Sequence, residues 1–380
     1  GNTQQQRDSP MDNAFTKSVG ISAIATYEPT WVLSNEWFEG TIPRKFVQHT
    51  GTQSRPISWH DEVTMGVRAV NNLQRDTGCD LRDCAAVIFV SPSFVPLSVA
   101  RRFLDARQVR QERLMRAAHA LGVQLSIPHC PVYALNWFCS GYAKALAVLR
   151  RHIVPMLGLS PNQFLLVVTA SRISRITDYG CPQTGPLFGD MATATLLSRL
   201  DSPKYPAHFK LLYAGAEKQP AAGVFFDFAV RENVLLPSLN GGKTHMSQRL
   251  VFHMDGMGIA DAAPRAMSQA LAKALQTRGV HGDDVRFVVP HQAGTSIVRL
   301  AGMKLEQQGI RGEIVNGLTS QVGNVSSSSI PYALKQIWNR LSGIIACPTA
   351  AVGSPGKAEV SQGCILLEST PIHCPAAIAS

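Results

Sequence analysis

Leu275-Gln276-Thr277-Arg278-Gly279 closes an amphipathic helix, Gly282-Asp283-Asp284 turns the chain, and Val285–Val289 reads as an apolar strand. The first half carries the same order: Leu73-Gln74-Arg75-Asp76-Thr77-Gly78 closes a helix, and a polar turn leads into Ala86-Val87-Ile88-Phe89-Val90. One short match is weak on its own, so the flanking elements decide. Before and after the first copy, strands are predicted at Ser18–Thr26, Cys84–Val90, Pro131–Leu135, Phe164–Ala170 and Ala192–Leu197. Between them fall helical patterns at Glu62–Gln74, Leu97–Leu121 and Cys139–Leu157. After the second copy come a helix at Ala293–Gln307, a strand at Glu313–Asn316, a helix at Ser326–Leu341, and strands at Ile344–Ala350 and Gly363–Glu368. This alternation predicts an α/β fold whose largely buried sheet is partly parallel. Two similar halves, 11–205 and 206–380, are expected, divided where Asp201-Ser202-Pro203 breaks the pattern.

Composition narrows the classes. Of 380 residues 45% are hydrophobic and 16% charged, which excludes intrinsic disorder. The longest apolar runs, such as Cys84–Val90 and Phe164–Val168, fall far short of the roughly 20 residues that cross a bilayer, so no membrane span is expected. Lys and Arg exceed Asp and Glu by 36 − 26, a net +10 that suits an acidic partner. No aromatic interleaving or known motif points that charge at nucleic acid. Eight dispersed cysteines without a CxxC pair read as reduced thiols in a cytoplasmic protein, with no metal site. Gly1–Pro10 is polar and lacks the apolar core of a secretion signal, and Met11 reads as the natural start.

Three residues share one context, a strand end feeding a helix. Cys139, in Asn136-Trp137-Phe138-Cys139-Ser140-Gly141-Tyr142, would meet free backbone N–H groups and the positive end of a helix dipole, which favour a thiolate. A buried structural cysteine would read the same way. His291 follows the strand Phe287-Val288-Val289-Pro290, where open α/β sheets place ligand sites. A satisfied histidine under a loop is its plainer explanation. Asn324, in Gly323-Asn324-Val325-Ser326-Ser327-Ser328-Ser329-Ile330-Pro331, is also what a turn asparagine with helix-capping serines would look like.

Taken together, type, order and spacing resemble one family. Pro290-His291-Gln292-Ala293 and the Gly323–Pro331 string resemble the His and Asn motifs of β-ketoacyl-acyl-carrier-protein synthase III enzymes. Cys139-Ser140-Gly141 resembles their nucleophile, Leu187-Phe188-Gly189-Asp190 their FGD loop, and the Gly353/Gly356 loop before Gln362-Gly363-Cys364 their glycine-rich closing turn. The resemblance covers about residues 18–370. It implies the thiolase fold, a five-layer αβαβα stack of two pseudo-symmetric βαβαβαββ halves. It also implies a ping-pong acyltransferase in fatty-acid-like or polyketide metabolism. Cys139 takes an acyl group from a thioester; His291 and Asn324 hold the oxygen of a malonyl-type extender as carbon dioxide leaves. The backbone N–H groups of Cys139 and Gly353 would form the oxyanion hole. Trp137, Phe138 and Phe188 would wall the substrate pocket. No cofactor or metal is implied, since substrates ride on the phosphopantetheine of an acyl carrier protein or coenzyme A. A homodimer is expected.

The chain also departs from that pattern. Gly294 and Ser296 replace a usual asparagine and basic residue, and Lys45 and His49 fall near the positions where a tryptophan and an arginine contact the coenzyme A nucleotide in the family it resembles. These changes weigh against coenzyme A priming. An insertion at about 97–125 carries Arg101, Arg102, Arg107, Arg110, Arg113 and Arg116 against Asp105 and Glu112, with Leu104, Val109, Leu114, Ala117 and Leu121 as its apolar face. A solvated helix would look the same; the functional reading is a docking face for an acidic carrier. Two further functions stay open: acyl transfer to a hydroxyl or amine without decarboxylation, and a non-catalytic subunit shaping a partner's pocket. Retention of Asn324 weighs against the first and retention of Cys139 against the second.

Overall fold

The structure, a computed structural model, describes residues 19–111 and 113–375. Ser18, and the stretches of the two predicted halves at 11–18 and 376–380, lie outside the described residues. The first half supplies β1 (Val19–Tyr27), β2 (Trp31–Ser34), β3 (Ser54–Ile57), β4 (Cys84–Val90), β5 (Val132–Leu135), β6 (Phe164–Ser171) and β7 (Met191–Arg199). The second supplies β8 (Phe209–Pro220), β9 (Phe226–Pro237), β10 (Lys243–Met254), β11 (Val285–Val288), β12 (Glu313–Ile314), β13 (Ile344–Val352) and β14 (Glu359–Ser369).

Ten strands join in the order β12-β11-β13-β14-β8-β1-β7-β6-β4-β5. Read outward from the β1/β8 contact, each side repeats the other. β7 and β14 are antiparallel to their neighbours, while β4 and β11 each run parallel to both of theirs. Side-chain alternation explains the layering. On β4, Ala86, Ile88 and Val90 face a central core, whereas Val87 and Phe89 face an outer one. On β13, Ile345 and Cys347 face that same central core and Ala346 faces the other outer core. The central layer holds the helices that begin at Gly141 and Ser329. Glu62–Thr77 and Gly256–Arg278 cover the outer faces. The five-layer αβαβα architecture follows from strands apolar on both faces.

Two predicted helices differ, and one hairpin is new. The helix predicted at Cys139–Leu157 holds a π turn at Leu149–Ile153, just ahead of Pro155, whose ring cannot accept a regular preceding turn. The single helix predicted at Leu97–Leu121 is three: Leu97–Phe103, Ala106–Gln111 and Leu114–Gln124. Asp105 stops the first and starts the second, its carboxylate accepting from Gln108 N–H (2.8 Å) while Gln108 Oε1 accepts from Asp105 N–H (3.0 Å). Leu104 and Val109 pack on one cluster, and after the second break Leu114, Ala117 and Leu121 pack on another. The β9/β10 hairpin was not predicted.

Candidate active site

β13 brings the nucleophile and the histidine together. His291 N–H donates to Pro348 O (2.9 Å), and the next residue, Thr349, donates its hydroxyl to Cys139 O (2.9 Å). Gln292 anchors the turn after the histidine. Its side-chain amide donates to Pro290 O (2.9 Å) and Val315 O (3.1 Å), and its N–H donates to the Ser329 hydroxyl (2.8 Å).

Asn324 is held from the opposite side. Its N–H donates to Leu187 O (2.9 Å) and its carbonyl accepts from Gly189 N–H (3.0 Å), so Phe188 and Asn324 pair as a short bridge. Asn324 Oδ1 accepts from Ser326 N–H (2.9 Å). With the oxygen engaged, the amide NH₂ is the end left to meet a substrate. The four serines are buried and do more than cap a helix. Ser326 Oγ meets Cys139 Sγ at 3.6 Å, Ser327 and Ser328 bond the Ser171 hydroxyl across the two halves, and Ser329 holds Gln292. Phe138 and Ser326 both adopt left-handed backbone, φ 47° and 52°, a strain of about 1–3 kcal/mol each that places Cys139 and Asn324 on tight turns.

Cys139, His291 and Asn324 all line one cavity of about 510 Å³. Phe138 and Phe188 line it too, as predicted, as do the departures His49, Gly294 and Ser296 near its mouth. Trp137 does not. It lies on the outer side, its ring between the ammonium groups of Lys144 (4.3 Å) and Lys218 (4.7 Å). Gly353 is also corrected. Its N–H donates to Glu359 O (3.0 Å) within the β13/β14 hairpin and is spent. Alternation along β13 turns the Ala350 N–H the other way, to the edge where His291 binds Pro348 O, and Ala350 lines the cavity. The Val352 N–H turns the same way and Val352 lines the cavity too, so β13 offers two amides on that side. The six arginines are exposed and line no part of the cavity; the helices Leu97–Phe103 and Ala106–Gln111 share an apolar cluster with Phe226 and Phe252 of its wall, while Leu114–Gln124 packs on another core. Lys45 is likewise outside the lining.

The expected thiolate is corrected as well. Burial pushes the Cys139 thiol up to about 11, against hydrogen bonds from Ser326 and Asn324 that favour the anion. The helix start offers less than the sequence suggested, because Ser140 and Gly141 N–H are already bonded to Trp137 O and Phe138 O. At neutral pH the sulfur keeps its proton. Burial also pushes His291 down to about 4, and its Nδ1 has no hydrogen-bond partner among the described residues. The ring is neutral at pH 7 and can donate one N–H to an oxygen in the cavity. Below about 6.5 the unfolded histidine binds a proton that the folded one refuses, so this group lowers stability as pH falls from 6.5 towards 4. The expected pH profile of the decarboxylation step shows no titration near 6.5. A midpoint there would mean that His291 is solvated and basic.

Two groups of site residues had no role in the sequence reading. Phe226 and Phe252, with Met254, come from the β9/β10 hairpin, where Phe226 faces Met254 and Phe228 faces Phe252 across the register. Ile173 and Ile176 come from the turn after β6. The alternation Phe226-Asp227-Phe228 was the available signal for the hairpin.

The family described as 3-oxoacyl-[acyl-carrier-protein (ACP)] synthase III matches residues 133–211, which contain Cys139, and its C-terminal counterpart matches 275–342, which contain His291 and Asn324. A β-ketoacyl-[acyl-carrier-protein] synthase III 2 of Bacillus cereus is 28% identical over 323 residues, covering 83% of this chain and 87% of that one. The synthase III of Geobacillus kaustophilus is 26% identical over 320 residues, with 83% and 88% covered. The chain is β-ketoacyl synthase III-like in sequence and in fold. The fold agrees: the crystal structure of the Thermus thermophilus synthase III superposes with a TM-score of 0.67 at 24% identity, covering 92% of this chain and 99% of that one. Within this synthase III-like frame, Asp190 of the FGD loop is a brace. It is buried and accepts from Ser58 N–H (2.8 Å), Ser174 N–H (3.1 Å) and the Ser174 hydroxyl (2.5 Å). Burial still raises its carboxyl to about 6. Among the described residues no helix is long and apolar enough to cross a membrane.

Proposed function

We propose that the chain is a condensing acyltransferase: Cys139 accepts an acyl group from a thioester, and the acyl-enzyme is then attacked by the carbanion of a decarboxylating malonyl-type extender. The observation that carries this reading is the orientation of Asn324. Its oxygen is tied to Ser326 N–H, so it presents an NH₂ beside neutral His291, two donors facing one cavity that also holds the thiol. Both donors suit the enolate oxygen formed as carbon dioxide leaves. The thioester oxygen on Cys139 would be held by Cys139 N–H and one of the two β13 amides, Ala350 or Val352. Simple acyl transfer to a hydroxyl needs no such donor pair, which ranks that alternative lower; a non-catalytic subunit would have no use for the nucleophile.

In this reading the extender rides on an acyl carrier protein in fatty-acid or polyketide synthesis, and the chemistry draws on no metal or redox group. The carrier approaches at the cavity mouth, where His49 and Arg299 stand, instead of at the arginine face first expected. All eight cysteines are free thiols, in keeping with a reducing cytoplasm. Among the described residues β5 ends the sheet with its outer backbone edge unpaired and Val132, Tyr133, Ala134 and Leu135 half-buried, which fits pairing with a second copy as a homodimer.

Intact-protein mass after incubation with acyl-carrier and acyl-coenzyme A thioesters tests the reading. The expected result is a single acyl adduct on the native chain and none on Cys139→Ala. An adduct that survives in Cys139→Ala would sink it. A native mass equal to one chain, measured on the same sample, would remove the dimer.

A further inference from the structure

We infer that Arg55, fully buried on β3, is a positioning residue for the condensation step: it fixes the Asn324 amide by holding together the two loops that meet at the Phe188–Asn324 bridge. The inference rests on the condensing reading above and adds to it a residue outside the cavity lining.

Burying a guanidinium is costly unless its donors are met. Among the described residues Arg55 has no carboxylate partner, and its donors meet three neutral oxygens. Nε donates to Pro186 O (3.0 Å), Nη1 to Leu33 O (3.0 Å) and Nη2 to Asn35 Oδ1 (2.7 Å). Asn35 is aimed for this by its own amide, which donates to Thr52 O (2.9 Å). The rings of Phe38 (4.9 Å) and Phe46 (5.9 Å) flank the cation. Burial draws Arg55 down to about 10, so it stays charged at neutral pH. A rigid planar fork suits three fixed acceptors, whereas the single ammonium of a lysine cannot span them.

The chain segments that carry those oxygens give the arginine its task. Pro186 precedes Leu187, whose carbonyl accepts the Asn324 N–H (2.9 Å). On the other side Gly323 turns in left-handed backbone, φ 67°, and a β-carbon there would lie 3.6 Å from Arg55 Cβ. The arginine stem therefore runs beside the turn that delivers Asn324.

The neighbours of Arg55 grip the same two loops. Gln53 and Ser54 N–H both donate to Ser320 O (2.7 and 3.1 Å), and the Ser54 hydroxyl donates to Gln321 Oε1 (3.1 Å). Pro56 O accepts from Asp190 N–H (2.9 Å). Residues 53 and 54 thus hold the Asn324 loop and residue 56 holds the FGD loop. Arg55 stands between them, and its Nε bond sets the second loop relative to the first.

The experiment follows both half-reactions: acylation of Cys139 by intact mass, and carbon dioxide release from a malonyl carrier thioester. It compares the native chain with Arg55→Lys, Asn35→Ala, Asn324→Ala and the double variant Arg55→Lys/Asn324→Ala. Arg55→Lys keeps the charge and loses the fork. It is expected to lower carbon dioxide release roughly 10²-fold while acylation stays within about threefold. Asn35→Ala removes one acceptor from a partly exposed position, so it serves if Arg55→Lys folds poorly; its expected loss is uneven in the same sense, about tenfold. The ratio of the two half-reactions does not depend on how many molecules are folded. The double variant separates positioning from stability. With the Asn324 amide already gone, Arg55→Lys should change carbon dioxide release by less than about threefold. Equal losses in the two half-reactions, or the same loss with and without Asn324, overturn the inference and leave the condensing reading standing. No adduct on the native chain, or no carbon dioxide release once it is acylated, removes the condensing reading and this inference with it.

Discussion

Asn324→Asp is expected to keep the acyl-enzyme and to lose condensation by roughly 10²–10³-fold, the cost of one donor facing a developing oxyanion. The substitution separates position from chemistry. Aspartate keeps the oxygen that accepts from Ser326 N–H (2.9 Å), and the backbone bonds to Leu187 and Gly189 do not involve the side chain. The loop should therefore hold its shape, and the thermal midpoint should stay near that of the native chain. What disappears is the NH₂, replaced by an acceptor that repels an enolate. His291→Ala removes the other donor and should cost the decarboxylation step a similar factor. The check is paired: intact mass for acylation, and carbon dioxide release from a malonyl carrier thioester for the second half-reaction. Condensation within threefold of the native rate in Asn324→Asp would show that the amide is a turn residue, as the sequence alone also allowed.

The strands around this site could be read from sequence because their alternation is short-range and both faces are apolar. Cys139, His291 and Asn324 could be read because each sits at a junction with its own local letters. What could not be read was direction. The chain leaves β5 at Leu135 and turns sharply at Phe138, whose φ is 47°, so the side chains of Trp137 and Phe138 part; Phe138 faces the pocket, and Trp137 lies between two lysines. The Gly353 N–H fails on direction as well, since its hairpin partner Glu359 fixes which amides of β13 turn toward the site. The arginine segment misled because its apolar residues share one helical stripe on paper, while the chain breaks at Asp105 and again between the second and third helices, and the third helix packs on a different core from the first two. The hairpin that supplies Phe226 and Phe252 meets the nucleophile's loop only through tertiary contact.

Gly189→Ala should then produce the second large effect, by moving Asn324 without touching it. A β-carbon at Gly189 would overlap the Val322 carbonyl oxygen and press on Pro56. The obstacle is backbone, so no rotamer relieves it, and the two segments must separate. Those segments are joined by Gly189 N–H to Asn324 O (3.0 Å) and Asn324 N–H to Leu187 O (2.9 Å), the pair of bonds that sets the amide beside Cys139. Overpacking of this kind costs typically about 1–3 kcal/mol, a drop of several degrees in the thermal midpoint. A displacement of about 1 Å at a catalytic donor can cost roughly 10²-fold in rate. The expected signature is uneven: acylation of Cys139 within a few-fold of native, condensation down by about 10²-fold. A variant that merely folds less well would lose active molecules and lower both half-reactions by the same factor. Equal losses would therefore mean that the Phe188–Asn324 bridge stabilises the fold without positioning the donor, and unequal ones that the FGD loop holds the amide where the enolate forms.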